Sequence, residues 1–178
     1  MKYYKKLCGK RIYLSPMNID DAEKYTAWFS NAEMTDGLGQ TANVASVESE
    51  KEWITKNSSS REFAIVLNEN DTLIGNCGFN WINTTARSAE IGIFIGDREN
   101  RSKGYGSEAV GLLLEFGFNV LNLHSIGLNF FSFNKEAAAC YKKCGFKEAG
   151  RRRESYFCNG KYYDTISMDI LEDEFKNA

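Results

Sequence analysis

The stretch that decides the fold lies at residues 90–109 and joins an apolar run, a polar loop and two closely spaced glycines. It reads Glu90-Ile91-Gly92-Ile93-Phe94-Ile95-Gly96-Asp97, then Arg98 to Lys103, then Gly104-Tyr105-Gly106-Ser107-Glu108-Ala109. This order predicts a strand that runs into a loop, with a helix beginning on the glycines. Glycine lets the backbone approach a ligand closely, and a helix start presents unpartnered N–H groups with a partial positive charge. The stretch therefore predicts a phosphate or pyrophosphate site, with Arg98, Arg101 and Lys103 as cations on its approach.

The glycine spacing alone leaves the ligand open. A dinucleotide-binding βαβ unit is one alternative, because Ala109 stands where the looser fingerprint accepts a residue other than the third glycine. Against it, the loop lies past the middle of the chain and follows a meander of hairpins. A phosphate-loop NTPase requires Gly-Lys followed by Ser or Thr, and this sequence lacks that element after the loop. A plain tight turn between strand and helix accounts for Gly104 and Gly106 equally well.

The rest of the chain predicts one α/β domain spanning residues 1–178. Strands are expected at residues 10–17, 63–67, 73–79, 89–95 and 125–133 and on both sides of Asn159-Gly160, and helices at 20–30, from 46, at 104–120 and at 135–143. Asp20 is the expected cap of the first helix, Glu33 to Asn43 an expected loop, and Asn68 to Asp71 a hairpin turn. No Pro- or Gly-rich linker and no internal repeat divides the chain, so one mixed α/β sheet is expected.

Composition narrows the class of protein. The 178 residues, 43% hydrophobic and 26% charged with a net charge of −2, are typical of one globular domain. The acidic balance argues against a nucleic-acid partner, and the triplet Arg151-Arg152-Arg153 is short enough to be a solvated patch. No apolar run approaches the roughly 20 residues that cross a bilayer, and no apolar segment follows the basic N-terminus, so neither a membrane partner nor a signal peptide is expected.

The five cysteines predict reduced thiols in a cytoplasmic protein, because their number is odd and their spacing fits no disulfide framework. Cys140 and Cys144 lie one helical turn apart, which suits either a shared metal or a buried helix face. The only histidine, His124, and the lack of a second cysteine pair favour the buried face, and no metal is expected.

A second segment identifies the ligand more closely. Asn134 ends a predicted strand, Tyr141 follows on a helix, and Lys143-Cys144-Gly145-Phe146 closes that helix. With Arg101-Ser102-Lys103-Gly104-Tyr105-Gly106 before it, the chain resembles the GNAT superfamily of acyl-CoA-dependent N-acyltransferases over nearly its whole length. The opening, the strand at Leu73-Ile74-Gly75 and the hairpin at Asn159-Gly160-Lys161 resemble the branch that contains the ribosomal-protein N-terminal acetyltransferases. The resemblance implies about seven strands in a mostly antiparallel sheet splayed near its centre, with four helices.

The resemblance also implies the site residues and their roles. The cofactor-binding residues that it implies for acetyl-CoA are Ile93, Phe94, Ile95, Arg101, Ser102, Lys103, Gly104, Tyr105, Gly106, Ser107 and Asn134. The backbone of 93–95 would pair with the pantetheine arm like an added strand, and the amides of 102–107 would hold the pyrophosphate. Tyr141 would act as general acid toward the departing thiolate, and Glu90 as general base toward the amine. Core packing for Tyr141 and a simple surface charge for Glu90 are the alternatives. Some members of the branch carry a glutamate five residues before the Asn, where this chain has Asn129.

The acceptor is left open by the sequence. The expected reaction is direct attack of a primary amine on acetyl-CoA, without a cysteine acyl-enzyme, and the amine belongs either to a protein N-terminus or to a small molecule such as a polyamine, an aminoglycoside or an amino-sugar nucleotide. Glu33, Asp36 and Asp164 could attract a cationic amine or be ordinary loop acids. A catalytically idle acyl-CoA sensor and a nucleotide-binding regulatory protein are the alternatives from other classes. A homodimer is compatible with the resemblance.

Overall fold

The computed structural model describes residues 2–57 and 60–176. Within them the strands are β1 Leu7–Cys8, β2 Ile12–Pro16, β3 Glu62–Leu67, β4 Leu73–Asn83, β5 Ser88–Ile95, β6 Ser125–Phe131, β7 Lys147–Cys158 and β8 Lys161–Leu171. The helices are α1 Ala22–Phe29, α2 Ala32–Asp36, α3 Val47–Asn57, α4 Tyr105–Asn119, α5 Lys135–Lys143 and α6 Glu172–Lys176. The prediction of an α/β fold is confirmed. Eight strands and six helices in the described ranges replace the expected seven and four.

The sheet is mixed and mostly antiparallel, with the strand order β1-β2-β3-β4-β5-β6-β8-β7. β5 and β6 pair in parallel, and their ladder covers Ser88–Glu90 against Ser125–Gly127. Beyond Gly127, β6 continues to Phe131 paired in antiparallel register with β8. The parallel ladder is therefore short and ends at Glu90.

The chain forms two compact units, and the first comprises residues 1–78 and 93–109. Its core, in the part that the structure describes, is rich in aromatic side chains from α1, β2 and β5. The ring of Tyr25 meets that of Trp28 edge-on at 5.4 Å, and Phe94 meets Trp28 edge-on at 5.8 Å. Edge-to-face contacts of this kind add to the stability gained by burying the rings.

The second unit comprises residues 79–92 and 110–178. Leu113, Leu114, Ile126 and Ile170 are fully buried there. Gly117 is needed where α4 crosses the sheet, because a Cβ at that position would stand 2.6 Å from the Cδ1 atom of Ile126. No described helix is long and apolar enough to cross a membrane.

Two local predictions near the N-terminus are wrong. Asn18, not Asp20, supplies the cap: its side chain accepts from the Asp20 N–H at 2.9 Å, a 3-10 turn follows, and α1 begins at Ala22. The expected loop from Glu33 to Asn43 contains α2, because the Asn31 side chain accepts from the Glu33 N–H at 3.0 Å and starts a short helix. That the chain acts as one catalytic domain stays a prediction.

Candidate active site

The glycine loop has the backbone conformation that an anion site requires. Ser102 and Gly104 both have positive φ angles, 56° and 83°, on either side of Lys103. The N–H of Glu108 bonds to the Gly104 carbonyl at 3.1 Å, so the N–H groups of Tyr105 and Gly106 stand at the start of the 15-residue helix α4. Alternating left-handed and right-handed residues followed by a helix start gather backbone N–H groups at one point. The loop fits a pyrophosphate.

Arg101 has its guanidinium engaged by the protein. Nε donates to the Ile95 carbonyl at 3.1 Å and Nη2 to the Gly96 carbonyl at 2.9 Å. Glu33 lies 3.7 Å from Nη1, and Arg98, far more exposed, lies 3.8 Å from the same carboxylate. Arg101 therefore ties the loop to the end of β5, and its direct contact with a phosphate stays a prediction.

The end of β5 packs closely against β4. The carbonyl of Phe94 lies so near Gly75 that no side chain fits there, and the Gly96 N–H donates to the Ile74 carbonyl at 2.9 Å. Backbone N–H and C=O groups alternate in direction along a strand. The backbone groups of Ile93 and Ile95 therefore point to the edge of β5 that faces away from β4. The Ile95 carbonyl is taken by Arg101. Three residues were expected to pair with pantetheine. Among them, Ile93 has a carbonyl that points away from β4 and is not bound by Arg101.

Glu90 stands at the end of the parallel ladder in the second unit, held by two amides. Nδ2 of Asn129 donates to Oε2 at 2.7 Å, and Nδ2 of Asn80 lies 3.5 Å from Oε1. The Ser167 hydroxyl donates to Oδ1 of Asn129 at 2.6 Å, which fixes the amide with its NH₂ toward the carboxylate. Among the described residues Glu90 has no cationic partner. Its carboxylate is therefore oriented by neutral hydrogen-bond donors.

Asn134 is the N-cap residue of α5, and Tyr141 lies within that helix. The Asn134 side chain caps the helix by accepting from the Ala137 N–H at 3.0 Å, which leaves its NH₂ group for a ligand. The ring of Tyr141 is 7% exposed and packs on Phe130 at 5.7 Å and Phe146 at 6.0 Å. Within the described residues its hydroxyl makes no hydrogen bond. Burial raises the pKa of Tyr141, so the phenol is protonated at neutral pH.

The acids expected near an acceptor are engaged elsewhere. Glu33 faces two arginines, Asp36 accepts from the Thr41 hydroxyl at 2.6 Å, and Asp164 accepts from Nη1 of Arg151 at 3.0 Å. Hydrogen bonds from the Glu154 N–H and from Arg151 hold the pKa of Asp164 below its usual range. Each of these three carboxylates therefore has a partner, and two of them pair with arginines, whereas Glu90 has no cationic partner among the described residues.

Asn129 was set aside by sequence reasoning because an amide is not a base, and the structure makes it the partner of Glu90. The contact between Asn129 and Glu90 follows from the register of β6 against β5. Glu90 pairs with Gly127, and Asn129 follows two residues later on the same face of β6. That register is a tertiary property, so no local pattern in the sequence reveals it.

The thiols and acids do not form a metal centre in the part of the chain that the structure describes. The five cysteines, all within that part, form no disulfide. No group of three or more His, Cys, Asp or Glu side chains in the described ranges could hold a metal ion.

Comparison with known proteins gives the class. The model of the acetyltransferase (GNAT) domain matches residues 11–147. An uncharacterized N-acetyltransferase, p20, of Bacillus licheniformis is 29% identical over 174 residues, or 95% of this chain and 97% of its own. A spermidine N(1)-acetyltransferase of Vibrio cholerae is 36% identical over 113 residues, or 64% of this chain and 65% of its own. The structure of a V. cholerae spermidine N-acetyltransferase with CoA and spermine superimposes with a TM-score of 0.84 at 28% identity, covering 95% and 100% of the two chains.

The chain therefore belongs to the GNAT acetyltransferase family, because the family model covers most of its length and the fold agrees. It is an acyl-CoA-dependent N-acetyltransferase that moves an acetyl group from acetyl-CoA to a primary amine.

Proposed function

We propose that this acetyltransferase acts on a small polycationic amine of the polyamine class. The observation that carries the proposal is Glu90, a carboxylate fixed by Asn129 and without a cationic partner in the described residues. An amine that is protonated in solution is attracted to such a charge and must lose a proton before it can attack. The spermidine acetyltransferases among the relatives and the solved structures support the same class of acceptor.

Glu90 receives a proton from the bound ammonium group, directly or through a water molecule. Since Asn129 and Asn80 donate only neutral hydrogen bonds, the carboxylate is oriented without being neutralised. The freed lone pair of the amine forms the new C–N bond as the C–S bond breaks, and the nitrogen releases its second proton to solvent. Acetyl-CoA supplies the activated acyl group as a thioester.

Tyr141 donates its phenolic proton to the departing sulfur and recovers one from solvent. Its hydroxyl has no partner among the described residues, and its ring is held by Phe130 and Phe146. The glycine loop would hold the diphosphate through the amides of residues 102–107, Ile93 would pair with the pantetheine arm, and the NH₂ group of Asn134 would contact the same arm.

A protein N-terminus is the other acceptor that the resemblance to the ribosomal-protein branch favours. Some members of that branch carry a glutamate where this chain has Asn129, and Asn129 here donates to Glu90. A polyamine carries several cations and a peptide N-terminus one, so the uncompensated carboxylate favours the polyamine. We propose the small amine for this reason.

The acceptor is tested by measuring release of the CoA thiol with spermidine, spermine, putrescine, aminoglycosides, an amino-sugar nucleotide and tripeptides that begin with Ala or Ser. We expect polyamines to have the highest kcat/KM. Turnover of the peptides alone would instead support the ribosomal-protein type of acceptor. Binding of CoA without turnover of any amine would support the idle sensor.

The base is tested with Glu90→Gln, with Glu115→Gln on the exposed face of α4 as the control. We expect kcat/KM for the best amine to fall about 100-fold or more at pH 7 in the first variant only. The deficit should shrink toward pH 10, because a larger fraction of the amine then arrives unprotonated. A loss that is independent of pH would contradict the role of Glu90 as base.

The cytoplasmic setting and a homodimer are further parts of the proposal. The five cysteines, which form no disulfide with one another, support the first. Light scattering at several protein concentrations measures the second.

A further inference from the structure

Arg11 connects the hairpin of β1 and β2 to the glycine loop. Its Nη1 donates to the Lys103 carbonyl at 2.8 Å, and its guanidinium lies over the ring of Tyr105 at 4.8 Å from the centroid. Nε donates to Oε2 of Glu108 in the first turn of α4 at 2.9 Å. One side chain thus contacts the middle of the loop, the first residue of the helix and the carboxylate beyond it.

Glu108 holds Arg11 from the helix side. Its Oε1 accepts from the backbone N–H of Arg11 at 2.8 Å and lies 3.4 Å from that of Ile12. Burial acts to raise the pKa of Glu108, and the hydrogen bonds from Arg11 and Ile12 outweigh it, so the pKa lies below its usual value. Gly9 completes the fit, because a Cβ there would stand 2.6 Å from Oε1. The hairpin of β1 and β2 therefore leaves room for the Glu108 carboxylate and donates backbone hydrogen bonds to it.

The Lys103 carbonyl is the group that Arg11 restrains. Lys103 lies between two residues with positive φ, Ser102 and Gly104, so rotation of its peptide planes would redirect the N–H groups of the loop. A carbonyl turned toward a phosphate would repel it. By donating to this oxygen, Arg11 keeps it turned away from an anion bound at the loop.

Arg11 also keeps donors of its own beside the loop. Nη2 would lie 3.2 Å from a Cβ on Gly104, and no described residue accepts a hydrogen bond from it. We propose that Arg11, held by Glu108, positions the glycine loop and donates from Nη2 to the diphosphate of the acyl-CoA substrate. This rests on the proposed placement of that diphosphate on residues 102–107. Sequence reasoning named Arg98, Arg101 and Lys103 as the cations and gave Arg11 no role.

Calorimetry with CoA tests the inference directly. We expect Arg11→Gln to weaken CoA binding about 10- to 100-fold, because charge-assisted hydrogen bonds are lost. Glu108→Gln, which loosens the hold on Arg11, should weaken it about 3- to 10-fold. Arg11→Lys keeps the positive charge and loses the planar set of guanidinium donors. Its affinity for CoA should therefore lie between those of Arg11→Gln and the wild type. Lys10→Gln, an exposed cation on the same hairpin, is the control and should bind as the wild type does.

Acetyl-pantetheine, which lacks the phosphates, separates this role from a structural one. We expect Arg11→Gln to lower kcat/KM for acetyl-CoA with little effect on kcat, and to change kcat/KM for acetyl-pantetheine less than about twofold. Equal losses with both donors, or CoA binding within twofold of wild type, would overturn the inference. If Arg11→Gln fails to fold in urea titrations, Arg11→Lys carries the same comparison.

Gly106→Asp distinguishes failure of the inference from failure of the proposed site. If Gly106→Asp weakens CoA binding and Arg11→Gln does not, the loop holds the diphosphate and Arg11 has no part in it, which overturns the inference alone. If neither changes the affinity, the diphosphate lies elsewhere and both statements fail.

Discussion

The proposed role of Tyr141 as general acid is tested at the scale of a single residue, because its ring is held by Phe130 and Phe146 and its hydroxyl makes no hydrogen bond to the described residues. We expect Tyr141→Phe to lower kcat about 100-fold or more while CoA affinity stays within twofold. The physical reason is the leaving group, since expelling a thiolate without a proton leaves a charge in a partly dry site. Removing only the oxygen preserves the contacts with Phe130 and Phe146. Steady-state kinetics and calorimetry measure the two quantities.

Tyr162→Phe is the matched control, because that ring is on β8 and 64% exposed. It should turn over as the wild type does. A Tyr141→Phe enzyme within twofold of wild type across the pH range would assign the ring to core packing, the alternative that the sequence left open.

At this scale the sequence located residues only through their place in a motif. The resemblance pointed to Asn134 and Tyr141, and the structure places Asn134 at the N-cap of α5 and Tyr141 within that helix, while their roles stay predictions. The partner of Glu90 depends on the register of β6, and the engagement of Asp164 by Arg151 depends on the register of the hairpin formed by β7 and β8. Local patterns carry no information about either pairing.

The glycine loop and α4 act together at the scale of the element. We expect Gly106→Asp to weaken CoA binding at least about 10-fold by calorimetry, because a carboxylate in the first turn of α4 would repel the diphosphate. Gly111→Asp on the same helix is the control, since open space surrounds a Cβ there. Equal affinities of Gly106→Asp and wild type would remove the diphosphate from the loop.

Elements with strong hydrophobic periodicity were predicted well, and short polar ones were not. The run of residues 63–67 became β3, and α5 has the predicted bounds. By contrast, α2 and α6 have five residues each and β1 has two, too few for a period to appear. For α2 the signal was the cap, Asn31 two residues before Glu33, which a search for caps rather than periods would have found.

At the scale of the whole molecule, the sheet order follows from topology that composition does not contain. Sequence patterns gave the mixed α/β class, and the comparison with solved structures agrees with it. The insertion of β8 between β6 and β7 could not be read from strand propensities, because each strand of the last hairpin has the same local character. Long-range pairing energies decide which of the two lies inside.

Glu62 provides a test of global stability, because its carboxyl is partly buried at the start of β3 beside Gly78 and has no hydrogen-bond partner among the described residues. Burial raises the pKa of Glu62 from 4.5 to about 7. Between these values the folded state binds the proton more tightly than the unfolded state does. The contribution of this group is therefore most favourable below pH 4.5 and is lost as the pH rises through 7.

Glu62→Gln removes this titration and leaves a side chain of the same shape. Relative to wild type, the variant should gain about 1–3 kcal/mol in the free energy of unfolding between pH 4.5 and pH 8, allowing for solvent access to the carboxyl. Urea titrations at several pH values measure the free energy of unfolding of both proteins. Carboxyls such as Glu108, whose pKa is lowered, contribute equally to both proteins, so their opposite dependence on pH cancels in the difference. Glu69→Gln, exposed in the turn after β3, corrects for the loss of one negative charge. A difference between Glu62→Gln and wild type that stays constant with pH would mean that Glu62 ionises in the folded protein as it does in the unfolded chain.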